Sequence, residues 1–294
     1  MTNTYKDSLA HPDIFKQLSV NDLLFVYYKC PQIDRLVRLY NHFNLIAFSL
    51  EGERTLHQSG KTWKVTPRTS YFQRKSAYIQ ELSDAESWKV LAFHIPDQFL
   101  IDFVKEFMDS LPTENLPEPE SDMFIKIELN EVTETYFYSL LPYFSKDSQV
   151  SEKLLELKFK ELFLSILSNP SNKQLLSYIL CLNNEGKPPI YQVMEKNYLH
   201  AFGLKEYAHI SSRSLSVFKK DFKEHYLVSP GKWLFNKRIG HASVLLKTTQ
   251  QSVLEVALNS GFKNVSHFSR VFKKKYQVSP LEYRKSASNQ IEKN

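Results

Sequence analysis

The 294-residue sequence is poor in the residues that mark several protein classes. Seven glycines exclude collagen-like and low-complexity sequence, and neither a GxGxxG nor a GxxxxGK(S/T) phosphate loop occurs. Two cysteines, Cys30 and Cys181, with no CxxC pair, exclude a disulfide framework and indicate a reducing compartment. No apolar run approaches the roughly 18 residues of a membrane span, and the first 16 residues lack a basic-then-apolar signal segment. We therefore expect a cytoplasmic protein with no membrane partner.

Charge is distributed unevenly along the chain. Residues 1–190 carry 20 Lys and Arg against 25 Asp and Glu, whereas residues 191–294 carry 18 against 7. The net charge of +6 therefore combines a segment of charge −5 with one of charge +11. A basic segment of this size favours contact with a polyanion such as nucleic acid, although a solvated basic surface would have the same composition.

The first two thirds of the chain combine strand and helix patterns. Residues rich in β-branched and aromatic side chains predict short strands at 24–28, 45–50, 61–66, 70–73, 78–81 and 89–94. Strands spaced this closely are typical of a small antiparallel barrel or sandwich. From Pro96 the apolar spacing becomes helical, and longer helices are predicted at 128–144, 151–167 and 174–182. We predict one domain at 1–182, a polar linker at 183–192 and a second domain at 193–294.

The basic segment contains a duplicated unit, because FKEHYLVSP at 222–230 aligns with FKKKYQVSP at 272–280. Each copy has a small residue, then two Phe four residues apart, then Ser-Pro, then an aromatic residue. These residues are Ala208, Phe218, Phe222, Ser229, Pro230 and Trp233 in the first copy and Ala257, Phe268, Phe272, Ser279, Pro280 and Tyr283 in the second. The pattern predicts two helix-turn-helix units, each with a close helix crossing at the alanine and an inward Phe pair.

The same pattern predicts where the second helix of each unit begins and which way it faces. Ser214 and Asn264 are candidate N-caps, and proline ends each helix. Lys219 and Lys220 in the first copy, and Ser269 and Arg270 in the second, then face outward. Two such helices on a rigid connection could enter successive major grooves about 34 Å apart.

Residues 191–285 resemble the DNA-binding domain of AraC/XylS-type bacterial transcription regulators. The resemblance rests on Arg213-Ser-Leu-Ser-Val-Phe218, on Gly261-Phe262 with Ser266-His-Phe-Ser-Arg-Val-Phe-Lys273, and on Arg238, Ala242, Leu245 and Leu246 between the units. It implies a sequence-specific DNA-binding regulator, and we expect an activator. The sequence departs from the family pattern at Tyr226-Leu227, where many members have glycine, and at Lys220, where Arg is commoner.

The resemblance implies DNA contacts on the second helix of each unit. Lys220 and Arg270 match a position that commonly faces DNA. Further contact positions are matched by Ser216 and Lys219 in the first unit and by Ser266 and Ser269 in the second. Three lysines, Lys223, Lys273 and Lys274, are expected at phosphates, which position a protein without specifying sequence. The complete predicted DNA-binding set is Arg213, Ser216, Lys219, Lys220, Lys223, Ser266, His267, Ser269, Arg270, Lys273 and Lys274.

The strands followed by helices resemble the cupin-like regulatory domain of AraC-type proteins. This implies control by a small molecule or a partner protein, with RNA polymerase and a second copy of the chain as further expected partners. Two sets of residues have alternative interpretations. Six aromatic residues either line a ligand cavity or fill a core: Phe48, Tyr71, Phe72, Tyr78, Trp88 and Phe93. A helical stripe either mediates dimerisation or is core: Leu155, Phe159, Leu162 and Ile166.

Two other hypotheses remain open. One is a cupin-type metalloenzyme with a helical accessory domain, but His42, His57 and His94 lack the His-x-His spacing that a cupin metal site uses. No Ser-His-Asp or Cys-His motif is present either. We therefore predict no cofactor, no metal and no enzymatic activity. The other hypothesis is a constitutive DNA-binding dimer whose first domain binds no ligand.

Overall fold

The computed structural model describes residues 2–30, 32–58, 60–82, 88–120, 122–145, 151–184 and 188–291. The chain divides into two compact units, residues 1–186 and 187–294. Helices occupy both ends of the predicted linker 183–192, because one helix ends at Asn184 and the next begins at Ile190. Residues 185–187 of that linker lie outside the described residues. Within the described ranges, no helix combines the length and apolarity that crossing a bilayer requires.

The described part of the first unit contains two β-sheets. Its strands are β1 (Thr2–Asn3), β2 (Phe15–Val20), β3 (Leu23–Lys29), β4 (Leu36–Tyr40), β5 (Asn44–Glu51), β6 (Arg54–Gln58), β7 (Lys61–Val65), β8 (Ser70–Gln73), β9 (Ala77–Leu82), β10 (Lys89–Ile95) and β11 (Phe124–Ile127). The strand order is β1-β4-β9-β6-β7 in one sheet and β11-β8-β5-β10-β3-β2 in the other. Pairing is antiparallel except between β1 and β4. The prediction of a β-rich first domain is confirmed, and of the two predicted arrangements, barrel or sandwich, the described strands form two sheets and do not close into a barrel.

The physical reason for two separate sheets is visible in β10. Leu91 and Phe93 pack in a core against helices, whereas Val90 and Ala92 pack in a second core against the five-stranded sheet. A strand that is apolar on both faces needs a covering layer on each side. The unit therefore stacks helices, the six-stranded sheet and the five-stranded sheet in that order.

The described residues of the first unit form five α-helices, four of which come after β10. They are α1 (Thr4–Ala10), α2 (Asp97–Phe107), α3 (Glu131–Leu140), α4 (Glu152–Ser168) and α5 (Lys173–Asn184). The helix predicted at 128–144 is shorter, because Asn130 caps its start and a 3₁₀ turn containing Pro142 follows it. The predicted stripe of α4 (Leu155, Phe159, Leu162 and Ile166) is buried in the core of this unit and is not an exposed dimer surface.

The second unit is helical throughout its described residues. Its helices are α6 (Ile190–Asn197), α7 (Leu204–Ile210), α8 (Leu215–Tyr226), α9 (Pro230–Thr248), α10 (Val253–Asn259), α11 (Val265–Tyr276) and α12 (Pro280–Ile291). The predicted helix-turn-helix units are α7 with α8 and α10 with α11. The long helix α9 connects them, and its stripe of Ile239, Ala242 and Leu246 is buried.

Candidate nucleic-acid interface

The turns of the two helix-turn-helix units begin in the same way. Ala208 and Ala257 are buried at the crossing of the first and second helices. After each alanine the chain turns back on itself, so that the backbone N–H of Arg213 donates to the Ala208 carbonyl at 2.9 Å and that of Phe262 to the Ala257 carbonyl at 3.0 Å. The predicted small residues therefore lie where the helices approach most closely, and this local geometry is repeated in both units.

Both second helices begin at the predicted N-cap. The Ser214 side chain accepts from the Val217 N–H at 3.3 Å, and the Asn264 side chain accepts from the His267 N–H at 3.0 Å. Such caps satisfy backbone donors that a helix start leaves unpaired, and each contributes about 0.5–2 kcal/mol. The second turn holds one residue more than the first. For this reason the alanine and the second Phe lie one residue further apart in the second copy than in the first.

The Phe pairs fix the rotation of α8 and α11. All four rings are fully buried, and the second ring of each pair contacts the aromatic residue that follows Ser-Pro. The centroid distances are 6.0 Å for Phe222–Trp233 and 5.2 Å for Phe272–Tyr283. With about 100° of rotation per residue, burial of positions i and i+4 turns the intervening positions away from the core.

The outward positions are the predicted DNA contacts. We call Ser216, Lys219, Lys220 and Lys223 the basic face of α8, and Ser266, Ser269, Arg270, Lys273 and Lys274 the basic face of α11. All are exposed except Ser269, which is half-buried, and His267 is exposed beside the second face. The structure thus brings ten of the eleven predicted residues to solvent on two equivalent helices.

Arg213 is different, because its guanidinium is bound within the protein. Its Nε donates to Asp221 Oδ2 at 3.0 Å, and its Nη1 donates to the carbonyls of Pro188 at 2.8 Å and Ser211 at 2.7 Å. Only 11% of the side chain is exposed. Arg213 therefore joins the first turn to α8 and to Pro188, which precedes α6, and we remove it from the predicted DNA contacts.

The charges of the two basic faces are not neutralised by neighbouring carboxylates. Among the described residues, none of their six Lys and Arg side chains lies within 4.0 Å of an Asp or Glu oxygen. Two acidic side chains of this unit form ion pairs away from these faces: Asp221 binds Arg213 and Glu195 binds Lys237. Helix α8 carries a net charge of +1 and α11 a net charge of +4, so the second face has the stronger positive field.

Two further carboxylates of this unit cap helices. The Glu255 side chain accepts from the Ser252 N–H at 2.6 Å, and the Glu282 side chain accepts from the Ser279 N–H at 2.8 Å. These backbone hydrogen bonds, with the serine hydroxyls, lower the pKa of both carboxyls. Both groups are therefore held at the starts of α10 and α12. Lys273, of the basic face of α11, is close enough to Glu282 to lower the pKa of that carboxyl further.

The first unit contains a cavity of about 160 Å³ between its sheets. Its lining comes from α1 and seven strands, and includes Asp7, Tyr28, Cys30, Tyr78 and His94 but no Lys or Arg. Burial lowers the pKa of His94 to about 3, so the ring is neutral. Its Nδ1 atom has no hydrogen-bond partner among the described residues. A neutral imidazole with an open position can donate or accept one hydrogen bond to a bound molecule.

Most of the six aromatic residues that were predicted either to line a ligand cavity or to fill a core belong to a hydrophobic core. Of the six, Tyr78 lines this cavity, whereas Phe48, Phe72 and Phe93 are buried between the six-stranded sheet and the helices. Tyr71 and Trp88 belong to the core between the sheets. The cavity residues Cys30 and Gln80 were not predicted, because no local pattern joins segments that are so far apart in sequence. Among the described side chains, no cluster of three His, Cys, Asp or Glu could hold a metal ion.

Comparisons with known proteins match both parts of the chain. Residues 44–178 match the model of the ExsA N-terminal regulatory domain, and residues 205–286 match that of a helix-turn-helix domain. The chain is 26% identical to the HTH-type transcriptional regulator ExsA of Pseudomonas aeruginosa over 80% of this chain and 84% of that protein. It is 23% identical to the thermoregulatory protein LcrF of Yersinia pestis over 80% of this chain and 86% of that protein.

Among solved structures, ToxT of Vibrio cholerae is similar with a TM-score of 0.39 and 17% identity, over 89% of this chain and 97% of ToxT. The two family models cover the regulatory unit and the paired helix-turn-helix unit, and the two relatives match across both. This chain is a DNA-binding transcription regulator with an N-terminal regulatory domain, and it belongs to the AraC/XylS type of bacterial regulators.

Proposed function

We propose that this protein activates transcription by binding a specific double-stranded DNA site through the basic faces of α8 and α11. The observation that carries the proposal is that both faces are basic, exposed and unpaired, on helices whose rotation is fixed by buried Phe pairs. A relative whose sequence matches over 80% of this chain is named a virulence regulon transcriptional activator, and this name supports activation as the function. The protein acts by binding rather than by catalysis.

The side chains differ in the role that their chemistry suits. Arg270 can donate two parallel hydrogen bonds to guanine in the major groove. Lys220 carries a compact ammonium group, which is a weaker bidentate donor to the same base. Ser216, Ser266 and Ser269 are small enough to allow close approach to base edges, and His267 is proposed at the rim of the second groove. Lys223, Lys273 and Lys274 are proposed at phosphates, together with Lys219.

The test uses full-length protein and a DNA site selected from a random-sequence library by that protein. Arg270→Ala should weaken binding to the selected site by about 1–3 kcal/mol and relax the base preference at one position. Lys285→Ala removes an equivalent exposed charge from α12 and should leave the base preference unchanged. Equal losses for Arg270→Ala on the selected site and on a scrambled site would contradict base recognition by this residue.

The first domain is proposed to regulate the second, with the boundaries 1–182 and 193–294. A small molecule or a partner protein would act on it, a second copy of the chain would pair through it, and the complex would engage RNA polymerase in the cytoplasm. The cavity favours the small molecule, since His94 lines it and the Nδ1 atom of this ring has no hydrogen-bond partner among the described residues. Because the lining has one carboxylate and no Lys or Arg, the effector class that fits is small and uncharged or cationic.

This regulatory role has its own test. Full-length protein is heated with a panel of small neutral, cationic and anionic metabolites, and a bound effector should raise the melting temperature of the first unit. It should also slow alkylation of Cys30, which lines the cavity, but not that of Cys181, which does not. Stabilisation by anions alone would contradict the assigned class, and capture of a protein with no small-molecule effect would favour control by a partner.

A further inference from the structure

Arg238, in the connecting helix α9, fastens the segment that leads into the first helix-turn-helix unit. Its Nε donates to the Tyr198 carbonyl and its Nη2 to the His200 carbonyl, both at 2.7 Å. The Tyr207 hydroxyl of α7, fully buried, lies 3.4 Å from the same Nη2 and donates to the Asn197 carbonyl at 2.8 Å. One planar guanidinium therefore joins α9 both to the segment before α7 and to α7 itself.

The turn of the second helix-turn-helix unit lies against the same group. Gly261 has φ of +80°, and a Cβ at this position would lie 2.8 Å from the Leu199 carbonyl oxygen and 2.9 Å from Arg238 Nε. Beside it, the Ser260 hydroxyl lies 3.3 Å from Nδ1 of His241, one turn along α9 from Arg238. The backbone of the second turn thus touches both the connecting helix and the segment that enters the first unit.

The first turn supplies a control for this interpretation. Ser212 stands as far after Ala208 as Gly261 stands after Ala257, and its φ of 54° is also left-handed. The first turn thus holds a residue with a Cβ in a left-handed conformation, at a steric cost. At Gly261 the close approach of Leu199 and the Arg238 guanidinium adds a second requirement for glycine to the one set by its φ.

We propose that Arg238, His241, residues 198–202, Ser260 and Gly261 form a joint that holds the two helix-turn-helix units at one separation and orientation. Arg238 and Gly261 are positioning residues in this joint, and neither belongs to the basic faces. The inference rests on the proposed function, because it concerns how α8 and α11 engage DNA together. These contacts would then set the spacing between the two DNA half-sites that the protein accepts.

The physical consequence concerns the second of two linked binding events. Once one helix is in its groove, the other binds intramolecularly, and the gain is greatest when the connection matches the distance between the sites. A rigid joint keeps both helices preorganised for one spacing. A loosened joint lowers affinity for that spacing, but it leaves binding to a single half-site nearly unchanged.

The experiment measures affinity of the full-length protein for three duplexes: the selected site, a site with about five base pairs inserted between the half-sites, and a single half-site. The insertion rotates one half-site to the opposite side of the helix. Arg238→Lys and Gly261→Ala should weaken binding to the selected site at least about tenfold, while binding to the single half-site changes by less than about twofold. Ser212→Gly, at the equivalent first turn, should bind all three duplexes as the unaltered protein does.

A second measurement needs no DNA. Spin labels at positions 224 and 275, at exposed ends of α8 and α11, report the distance between the helices after Cys30 and Cys181 have been replaced with serine. A narrow distance distribution is expected, and Arg238→Lys and Gly261→Ala should broaden it while Ser212→Gly should not. This measurement remains informative if the proposed DNA contacts are wrong.

The outcomes separate the joint from the proposed function. Equal losses on all three duplexes, or unchanged distance distributions in both variants, would overturn the joint. If the unaltered protein binds the single half-site as tightly as the selected site, or if Arg270→Ala changes nothing, the proposed DNA binding by two helices fails instead. If one of the two variants fails to fold, the other variant tests the joint in both the binding and the distance measurements.

Discussion

Replacing Leu227 with glycine should stabilise the second unit, although the change removes an apolar side chain. Leu227 follows α8 with φ of 57°, in the left-handed region, and its N–H donates to the Lys223 carbonyl at 2.9 Å. It belongs to the Tyr226-Leu227 pair, where the sequence departs from the glycine of the AraC/XylS pattern. Glycine adopts the same conformation without the steric cost of a Cβ, so the hydrogen bond that ends the helix is kept.

The magnitude follows from three contributions. The left-handed conformation costs a residue with a Cβ about 1–2 kcal/mol. Glycine loses about 0.5–1 kcal/mol more backbone entropy on folding than a residue with a side chain. The Leu227 side chain is 85% exposed, so little burial is lost on truncation. The expected net gain is therefore about 0.5–1 kcal/mol.

Hydrogen exchange of the full-length protein measures this gain where it arises. The slowest amides of α8 and α9 should exchange about two- to fivefold more slowly in Leu227→Gly. Glu224→Gly, at an exposed position inside α8, is the matched control and should speed exchange because glycine costs about 1 kcal/mol in a helix interior. If Leu227→Gly also speeds exchange, the left-handed residue is not a source of strain and the argument is refuted.

Three further predictions concern groups in both units. Burial lowers the pKa of His94 to about 3 from its ordinary value of 6.5, so between these values the unfolded chain binds a proton that the folded chain does not. Stability of the first unit should then fall as the pH is lowered from about 6.5 towards 3, by up to about 1.4 kcal/mol per pH unit. His94→Gln should flatten this slope in urea unfolding, and an unchanged slope would contradict the neutral, buried ring. Lys273→Gln should reduce the slope of log affinity against log salt concentration by about 0.9, whereas the control Lys285→Gln should keep the slope of the unaltered protein. Equal slopes in the unaltered protein and both variants would show that Lys273 does not contact a phosphate. Arg213→Ala should lower the melting temperature by leaving Asp221 unpaired and should keep the base preference; altered preference with an unchanged melting temperature would return Arg213 to the DNA contacts.

The sequence predicted the second unit in detail because each of its signals is local. The Phe pairs, the caps at Ser214 and Asn264, and the Ser-Pro helix ends all act within one or two helical turns, and duplication made each signal appear twice. The strands at 24–28, 45–50 and 89–94 were equally clear, because they are continuous apolar runs buried on both faces.

The features that were not predicted depend on contacts between distant segments. Strand β6 lies inside its sheet, but its sequence RTLHQ reads as polar, and Gln58 is buried only because Ser76 and Ala77 accept its hydrogen bonds. Arg213 matched a family motif, yet the carbonyl of Pro188 and the carboxylate of Asp221 occupy its donors. The cavity around His94 is assembled from segments that no periodicity connects.

The central claim is that two equivalent helices read one face of a DNA duplex. Chemical footprinting of the full-length protein on its selected site, with guanine-methylation interference to report the major groove, tests this most directly. The expected result is two protected major-groove segments about 10–10.5 base pairs apart, with interference at one segment lost in Arg270→Ala and at the other in Lys220→Ala. A single protected segment, or protection confined to the minor groove, would contradict the account.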